Sequence, residues 1–331
     1  MADHSPVRMG LIGCGNIWRS VYRPIVAGLG DRVTITALCD LSPLAAGEAA
    51  ALLPAARRYA EPESLFREEP LDAIMVLTSE QANAPTALAA LRAGLAVYLE
   101  KPPAISVPEW RRLADAAEAE GSTGRGRIYT AFNRRHTPLF RNWRLPEAVR
   151  LRSVRGVLRR KGRAVPTFPF TAVHLIDAAE FFSGRLLAEA RSFFGEGESG
   201  PFWQIRGFLE GGAVCDLTFV PNGPNYAEHL VFETEDRIWE LHFPNRGGAE
   251  YPGGLVVSRA LSPASERETD PQVVRGDPGA DPLEAMGHAP CFRDFLDRLE
   301  DRTWETSLHR LHRCGSTIAL LEEMLSQAAV V

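Results

Sequence analysis

Short apolar, β-branched runs alternate with helix-forming stretches over the first 131 residues. Val7–Gly13 (VRMGLIG), Val33–Asp40 (VTITALCD), Leu71–Thr78 (LDAIMVLT) and Leu95–Leu99 read as buried strands, and Arg127–Ala131 as a closing one. Residues 16–29 suit a helix that Pro24 should kink or interrupt. Ser42 with Pro43 signals the start of a helix through Leu53. Residues 84–93, rich in alanine and leucine, form another, ended by Gly94, and 107–120 a further one. Such alternation implies a parallel sheet with both faces covered. The rhythm changes after the glycine-rich segment 121–126. Residues 151–158, 202–210, 213–220, 228–234 and 237–243 read as strands, most of them joined by tight turns such as Gly211-Gly212. That pattern predicts an antiparallel sheet, with a helix over 170–183 packed on it. Residues 244–282 predict loops around a strand near 254–259, and 285–300 and 306–328 two closing helices. The reading is therefore an α/β domain over 1–125 and an α+β domain with an open, mostly antiparallel sheet over 126–331.

Composition narrows the function classes. A formal net charge of −5 over 331 residues gives no reason to expect nucleic acid or a membrane as partner. No apolar run approaches a membrane span, and Met1–Met9 carries no apolar signal core, so a cytoplasmic protein is expected. The five cysteines are scattered and have no metal-ligand spacing, so reduced thiols and no metal site are expected. Of 37 basic residues only two, Lys101 and Lys161, are lysine. An ammonium can share its proton where a guanidinium cannot, which draws attention to Lys101.

Gly13-Cys14-Gly15-Asn16-Ile17 follows the first strand and opens a helix, the context in which a glycine-rich turn holds a dinucleotide in a Rossmann domain. Gly13 allows the tight turn, and Gly15 lets a pyrophosphate approach the backbone at the helix start. Trp18 stands where a small residue usually packs helix against sheet. Asp40 ends the second strand, where its carboxylate suits the adenosine ribose hydroxyls and repels a 2′-phosphate, favouring NAD while leaving NADP open. A strand-end Asp capping the next helix is the alternative. Glu100-Lys101-Pro102-Pro103 follows the strand ending at Leu99, at the edge of the sheet where ligands bind. There the Lys101 ammonium can stabilise an alkoxide as hydride leaves. A lysine in a surface turn is the alternative.

These segments, with Ala84-Pro85 to Gly94, Phe132-Asn133-Arg134-Arg135 and His174-Leu175-Ile176-Asp177, resemble the Gfo/Idh/MocA oxidoreductase family. The Glu-Lys-Pro tripeptide is the most specific mark. The resemblance implies a Rossmann domain, an open-sheet substrate domain, a bound nicotinamide nucleotide, catalysis by Lys101 and a homodimer or homotetramer built through the open sheet. It implies cofactor contacts from Gly13, Gly15, Asn16, Ile17, Asp40, Thr78, Glu100, Lys101 and Asn133. Lys101, Arg134, Phe170, His174 and Asp177 are the implied substrate residues, with His174 as acid/base.

Two departures stand out. The family's Asp-x-x-x-His pair has Phe170 in place of the acid four residues before His174. A His-rich turn after the third of these strands reads Glu80-Gln81-Ala82-Asn83 here. The basic run Arg159, Arg160, Lys161, Arg163 reads as a solvated loop, with a phosphate clamp as the alternative. Phe168, Phe202 and Trp203 read as either pocket wall or core. The expected activity is hydride transfer between nicotinamide and a hydroxyl or keto carbon of a sugar, cyclitol or nucleotide-linked sugar. A cofactor-binding sensor without turnover, and transient oxidation that drives elimination or epimerisation, are the alternatives.

Overall fold

The computed structural model describes residues 5–122, 127–198, 200–245, 254–260, 271–301 and 311–329. Internal packing divides the chain into two compact units, Met1–Ala131 with Cys291–Arg313, and Phe132–Pro290 with Cys314–Val331. The chain thus changes unit at Ala131/Phe132 and returns late to the first unit, whereas the sequence reading drew a single linear boundary at 125/126.

The first unit is built on six parallel strands: β1 Val7–Ile12, β2 Val33–Cys39, β3 Arg57–Tyr59, β4 Ala73–Val76, β5 Ala96–Leu99 and β6 Ile128–Thr130. Their order is β3-β2-β1-β4-β5-β6, so the winding reverses between β1 and β4. The helices are α1 over 16–27, α2 Pro43–Leu52, α3 Pro62–Glu68, α4 Glu80–Arg92 and α5 Val107–Ser122. β4 and β5 are buried at every position, as a sheet covered on both faces requires. Pro24 leaves its mark on α1 as a π turn over Trp18–Tyr22, in which the Arg23 amide reaches back five residues to the Trp18 carbonyl. The wider turn accommodates Trp18, which is fully buried. Segments 57–59 and 62–68, unassigned from sequence, are the short β3 and α3.

The second unit carries an eight-stranded sheet: β7 Leu151–Arg159, β8 Leu187–Gly197, β9 Gly200–Leu209, β10 Val214–Val220, β11 Ala227–Thr234, β12 Arg237–His242, β13 Leu255–Ala260 and β14 Gln272–Arg275. The order is β14-β13-β12-β11-β7-β10-β9-β8, antiparallel throughout except for the parallel pair β7/β10. Helix α6, Pro169–Ser183, packs on β7, β10 and β11, and α9, Gly315–Ala328, on β8. Phe168 and Trp203 stack at 5.9 Å, both with no exposed surface, so these two aromatics are core. The opposite face of the sheet leaves Phe193, Phe208 and Val214 exposed. Two strands were not read from sequence, β8 and β14. The helix expected over 285–300 is preceded by the short α7, Pro282–Ala285, and by Gly287 at φ +82°, and runs as α8, His288–Asp301. Residues 123–126, 306–310 and most of the predicted loop 244–282 lie outside the described residues or between β12 and α7.

One buried ion cluster ties this unit together. Arg134 donates through Nε and Nη2 to the two oxygens of Glu228 at 2.7 and 2.8 Å, and Arg160, the residue after β7, donates to the same carboxylate. Arg160, placed in a solvated loop by the sequence reading, is therefore buried. Burial alone would push the Glu228 carboxyl up; the two guanidiniums outweigh it and hold it at about 2. Because the folded value is depressed, this stabilisation is present above the ordinary value of 4.5 and is lost as pH falls from 4.5 towards about 2. Glu228→Gln strands two buried cations and should cost roughly 3–5 kcal/mol at neutral pH. Urea denaturation of wild type and variant should show that gap narrowing below pH 4.5.

Candidate active site

One row of backbone hydrogen bonds levels the carboxyl edge of the parallel sheet. The amide of Gly13 donates to Cys39 O (2.9 Å), Leu77 to Ile12 O (2.8 Å), Glu100 to Val76 O (3.0 Å) and Ala131 to Leu99 O (2.8 Å). The loops carrying Gly13–Ile17, Asp40, Thr78 and Glu100-Lys101 therefore leave the sheet side by side, at the edge where its winding reverses.

Gly13 has φ +93°, and a Cβ there would run into the carbonyl oxygen of Leu77. Gly15 faces open space: a Cβ built on it meets nothing within 4 Å. The first intrahelical bond runs from Arg19 N to Gly15 O, so the amides of Asn16, Ile17 and Trp18 precede it, as orphan donors at a helix start. An open glycine beside unclaimed helix-start amides fits a pyrophosphate. Asp40 accepts from the Cys14 amide at 2.6 Å and the Ser42 amide at 2.7 Å, one on each carboxylate oxygen. The acid thus locks the glycine turn to the end of β2 and also starts α2, whose own cap is Ser42. Asp40 thus joins the glycine turn to the start of the next helix.

Lys101 lies in a loop fixed at several points, with its peptide to Pro102 cis. Glu100 is buried; its carboxylate accepts the Tyr22 hydroxyl at 2.6 Å and the Lys101 amide at 2.9 Å. Burial pushes the Glu100 carboxyl up, against the pull of Lys101 and Tyr22. Tyr22 in turn meets the Tyr98 hydroxyl at 3.2 Å. From the other side, Asn83 donates through Nδ2 to the carbonyls of Glu100 (3.2 Å) and Pro102 (3.0 Å), while its Oδ1 accepts from Thr78 Oγ1 at 2.9 Å. Sequence reasoning assigned no role to Tyr22. It noted Asn83 only as part of an altered turn, although a carboxamide in the first turn of a helix beside a strand end is a signal that such a bridge is available.

In the second unit, α6 carries Phe170, His174 and Asp177, all buried. Asp177 does not stand open: Arg135 donates to both of its oxygens, from Nε at 3.0 Å and from Nη2. Burial pushes the Asp177 carboxyl up, against Arg135. Arg134 is likewise held by Glu228. These two ion pairs anchor the 3-10 turn Asn133–His136 to β11 and to α6. Asn133 differs from its neighbours. Its Nδ2 donates to Met286 O at 2.8 Å, while its Oδ1 is buried with no hydrogen-bond partner among the described residues. Such an acceptor suits a donor from a ligand. No group of three or more metal-ligating side chains occurs among the described residues, nor any helix long and apolar enough to cross a membrane.

Residues 7–124 match the model of an oxidoreductase family, Gfo/Idh/MocA, with an NAD-binding Rossmann fold. Inositol 2-dehydrogenase 2 of Saccharopolyspora erythraea is 28% identical over 279 residues, covering 78% of this chain and 80% of that protein. A dehydrogenase from Chromobacterium violaceum shares the fold at a TM-score of 0.79 and 18% identity, over 99% of this chain and 96% of the other. UDP-N-acetylglucosamine 3-dehydrogenase from Acidithiobacillus ferrooxidans does so at 0.76 and 16%, over 97% of each.

Gly13→Ala should weaken NADH binding by about tenfold or more, equivalent to ~1.4 kcal/mol per decade, because the clash is with main chain rather than a movable side chain. Titration of NADH fluorescence measures it, and a thermal melt run alongside reports whether the unit remains folded.

Proposed function

We propose that the chain, whose residues 7–124 match the Gfo/Idh/MocA oxidoreductase family, is an NAD-dependent dehydrogenase or ketoreductase acting at a secondary carbinol of a sugar, cyclitol or nucleotide-linked sugar. The observation that carries this reading is the loop of Lys101, fixed by Glu100 and Asn83 on the same sheet edge as the glycine turn. The nicotinamide, when bound, supplies the hydride acceptor or donor. Lys101 holds the carbinol oxygen, stabilises the charge that develops on it and takes up or returns its proton. His174 is assigned to the substrate side as a second acid/base, an imidazole being suited to proton transfer near neutral pH. Phe170 in place of an acid removes one polar partner from that helix turn, and Asp177, engaged by Arg135, does not replace it. Asn133 is assigned to a ligand donor through its buried Oδ1.

NAD is favoured over NADP by the Asp40 carboxylate at the end of β2, which repels a 2′-phosphate. The sugar-like substrate class rests on the relatives: an inositol 2-dehydrogenase by sequence and a UDP-N-acetylglucosamine 3-dehydrogenase by fold. Homo-oligomerisation is assigned to the open sheet face carrying Phe193, Phe208 and Val214.

A panel of myo-inositol, simple aldoses and UDP-N-acetylglucosamine, scored by NAD reduction at 340 nm, tests the activity; NADP in place of NAD should give slower turnover. Lys101→Ala should lower turnover by roughly 10²–10⁴-fold with NADH affinity little changed, and Lys101→Arg should not restore it. A wild type inert to the whole panel and to the corresponding ketones would sink the enzymatic reading. For the assembly, Phe208→Glu should shift the mass seen by light scattering towards the monomer.

A further inference from the structure

Asn83 carries no charge, yet one side chain reaches both flanks of Lys101. It lies in α4, is almost fully buried, and points its two N–H groups at the carbonyls of Glu100 and Pro102, the residues either side of the lysine. The arrangement has one orientation only. Thr78 donates its hydroxyl to Oδ1, which leaves Nδ2, and not the oxygen, to face the two carbonyls. All hydrogen-bonding capacity needed to bridge the loop therefore comes from a single planar group fixed on a helix. An aspartate there has the same shape but no donor, and would set a carboxylate against two carbonyl oxygens.

We propose that Asn83 is a positioning residue for Lys101, holding the backbone from which the ammonium extends and so fixing where it can reach. The lysine side chain has four rotatable bonds, so a displaced root moves the whole volume its ammonium can sample. Reaction rates fall by about 10²-fold for a misplacement near 1 Å. Thr78 acts one step further back, through the amide it orients. The proposal rests on the reading of Lys101 as the reacting ammonium, but its structural half can be tested without cofactor or substrate.

The two-lysine composition makes the test direct. Reductive methylation with ¹³C-formaldehyde places NMR probes on the α-amine, on Lys101 and on Lys161, which is exposed and serves as internal reference; Lys161→Arg and Lys101→Arg samples assign the signals. In Asn83→Asp, and in the gentler Thr78→Val, the Lys101 resonance should move or broaden while that of Lys161 stays in place. A Lys101 resonance that superimposes on wild type in either folded variant overturns the proposal. With a substrate in hand, Asn83→Asp should lower kcat about 10–100-fold at little-changed KM and NADH affinity. Failure of the wild type to bind NADH would instead overturn the reading of the site and leave the NMR result standing, so the two failures are distinguishable.

Discussion

Four main-chain hydrogen bonds, from Gly13, Leu77, Glu100 and Ala131 to the last carbonyls of neighbouring strands, set the level at which the loops after β1, β2, β4 and β5 depart. Parallel pairing makes these departures equivalent: each strand ends at the same edge and each returns through a helix. A slip of one residue in β4 or β5 would carry the glycine turn, Thr78 and Lys101 to different heights and exchange the strand's side chains between the two covered faces. The β-branched, fully buried strands oppose that slip. The chemistry at the edge thus rests on register, and register on burial.

A second theme is how charge is kept inside. Glu228 is ionised between two arginines, whereas Glu100 and Asp177 are pushed towards their neutral forms by burial that their single cationic neighbours only partly offset. Net positive charge remains at the Arg134–Glu228–Arg160 cluster. Of the Asn133-Arg134-Arg135 segment, the arginines serve the scaffold and the asparagine keeps an acceptor in reserve. The expectation of Arg134 as a substrate residue could not see that the carboxylate at 228 already claims it.

Much of the fold was legible because burial on both faces forces unbroken apolar runs, as in Ala73–Leu77, and because glycine turns and caps such as Ser42 act locally. The glycine turn, Asp40 and the Glu-Lys-Pro loop were legible for the same reason: each is a short motif at a strand end. β8 was not, since Leu187–Gly197 mixes glutamate, arginine and glycine and bulges between Ala188 and Arg191, with Glu189 at positive φ, which breaks the alternation of a strand. Asp177, Glu228 and Asn83 act through partners 17 to 94 residues away, and no periodicity encodes such pairings.

The same holds for α8, whose sequence announces an amphipathic helix but not what it covers. Phe292 and Phe295 pack on Tyr98 at 5.1 and 5.2 Å, Phe295 on Tyr129 at 5.7 Å, and Asp294 accepts the Tyr129 hydroxyl at 2.8 Å. On the ribosome, β1 to β6 emerge long before this helix is translated. Their aromatic flank stays wet until most of the second unit has been made, so the unit begun first waits on a helix translated after it. Nascent chains ordinarily mature one domain at a time from the amino end; here a stalled or prematurely terminated message yields a nucleotide-binding sheet with its tyrosines uncovered, a natural target for chaperones and proteases.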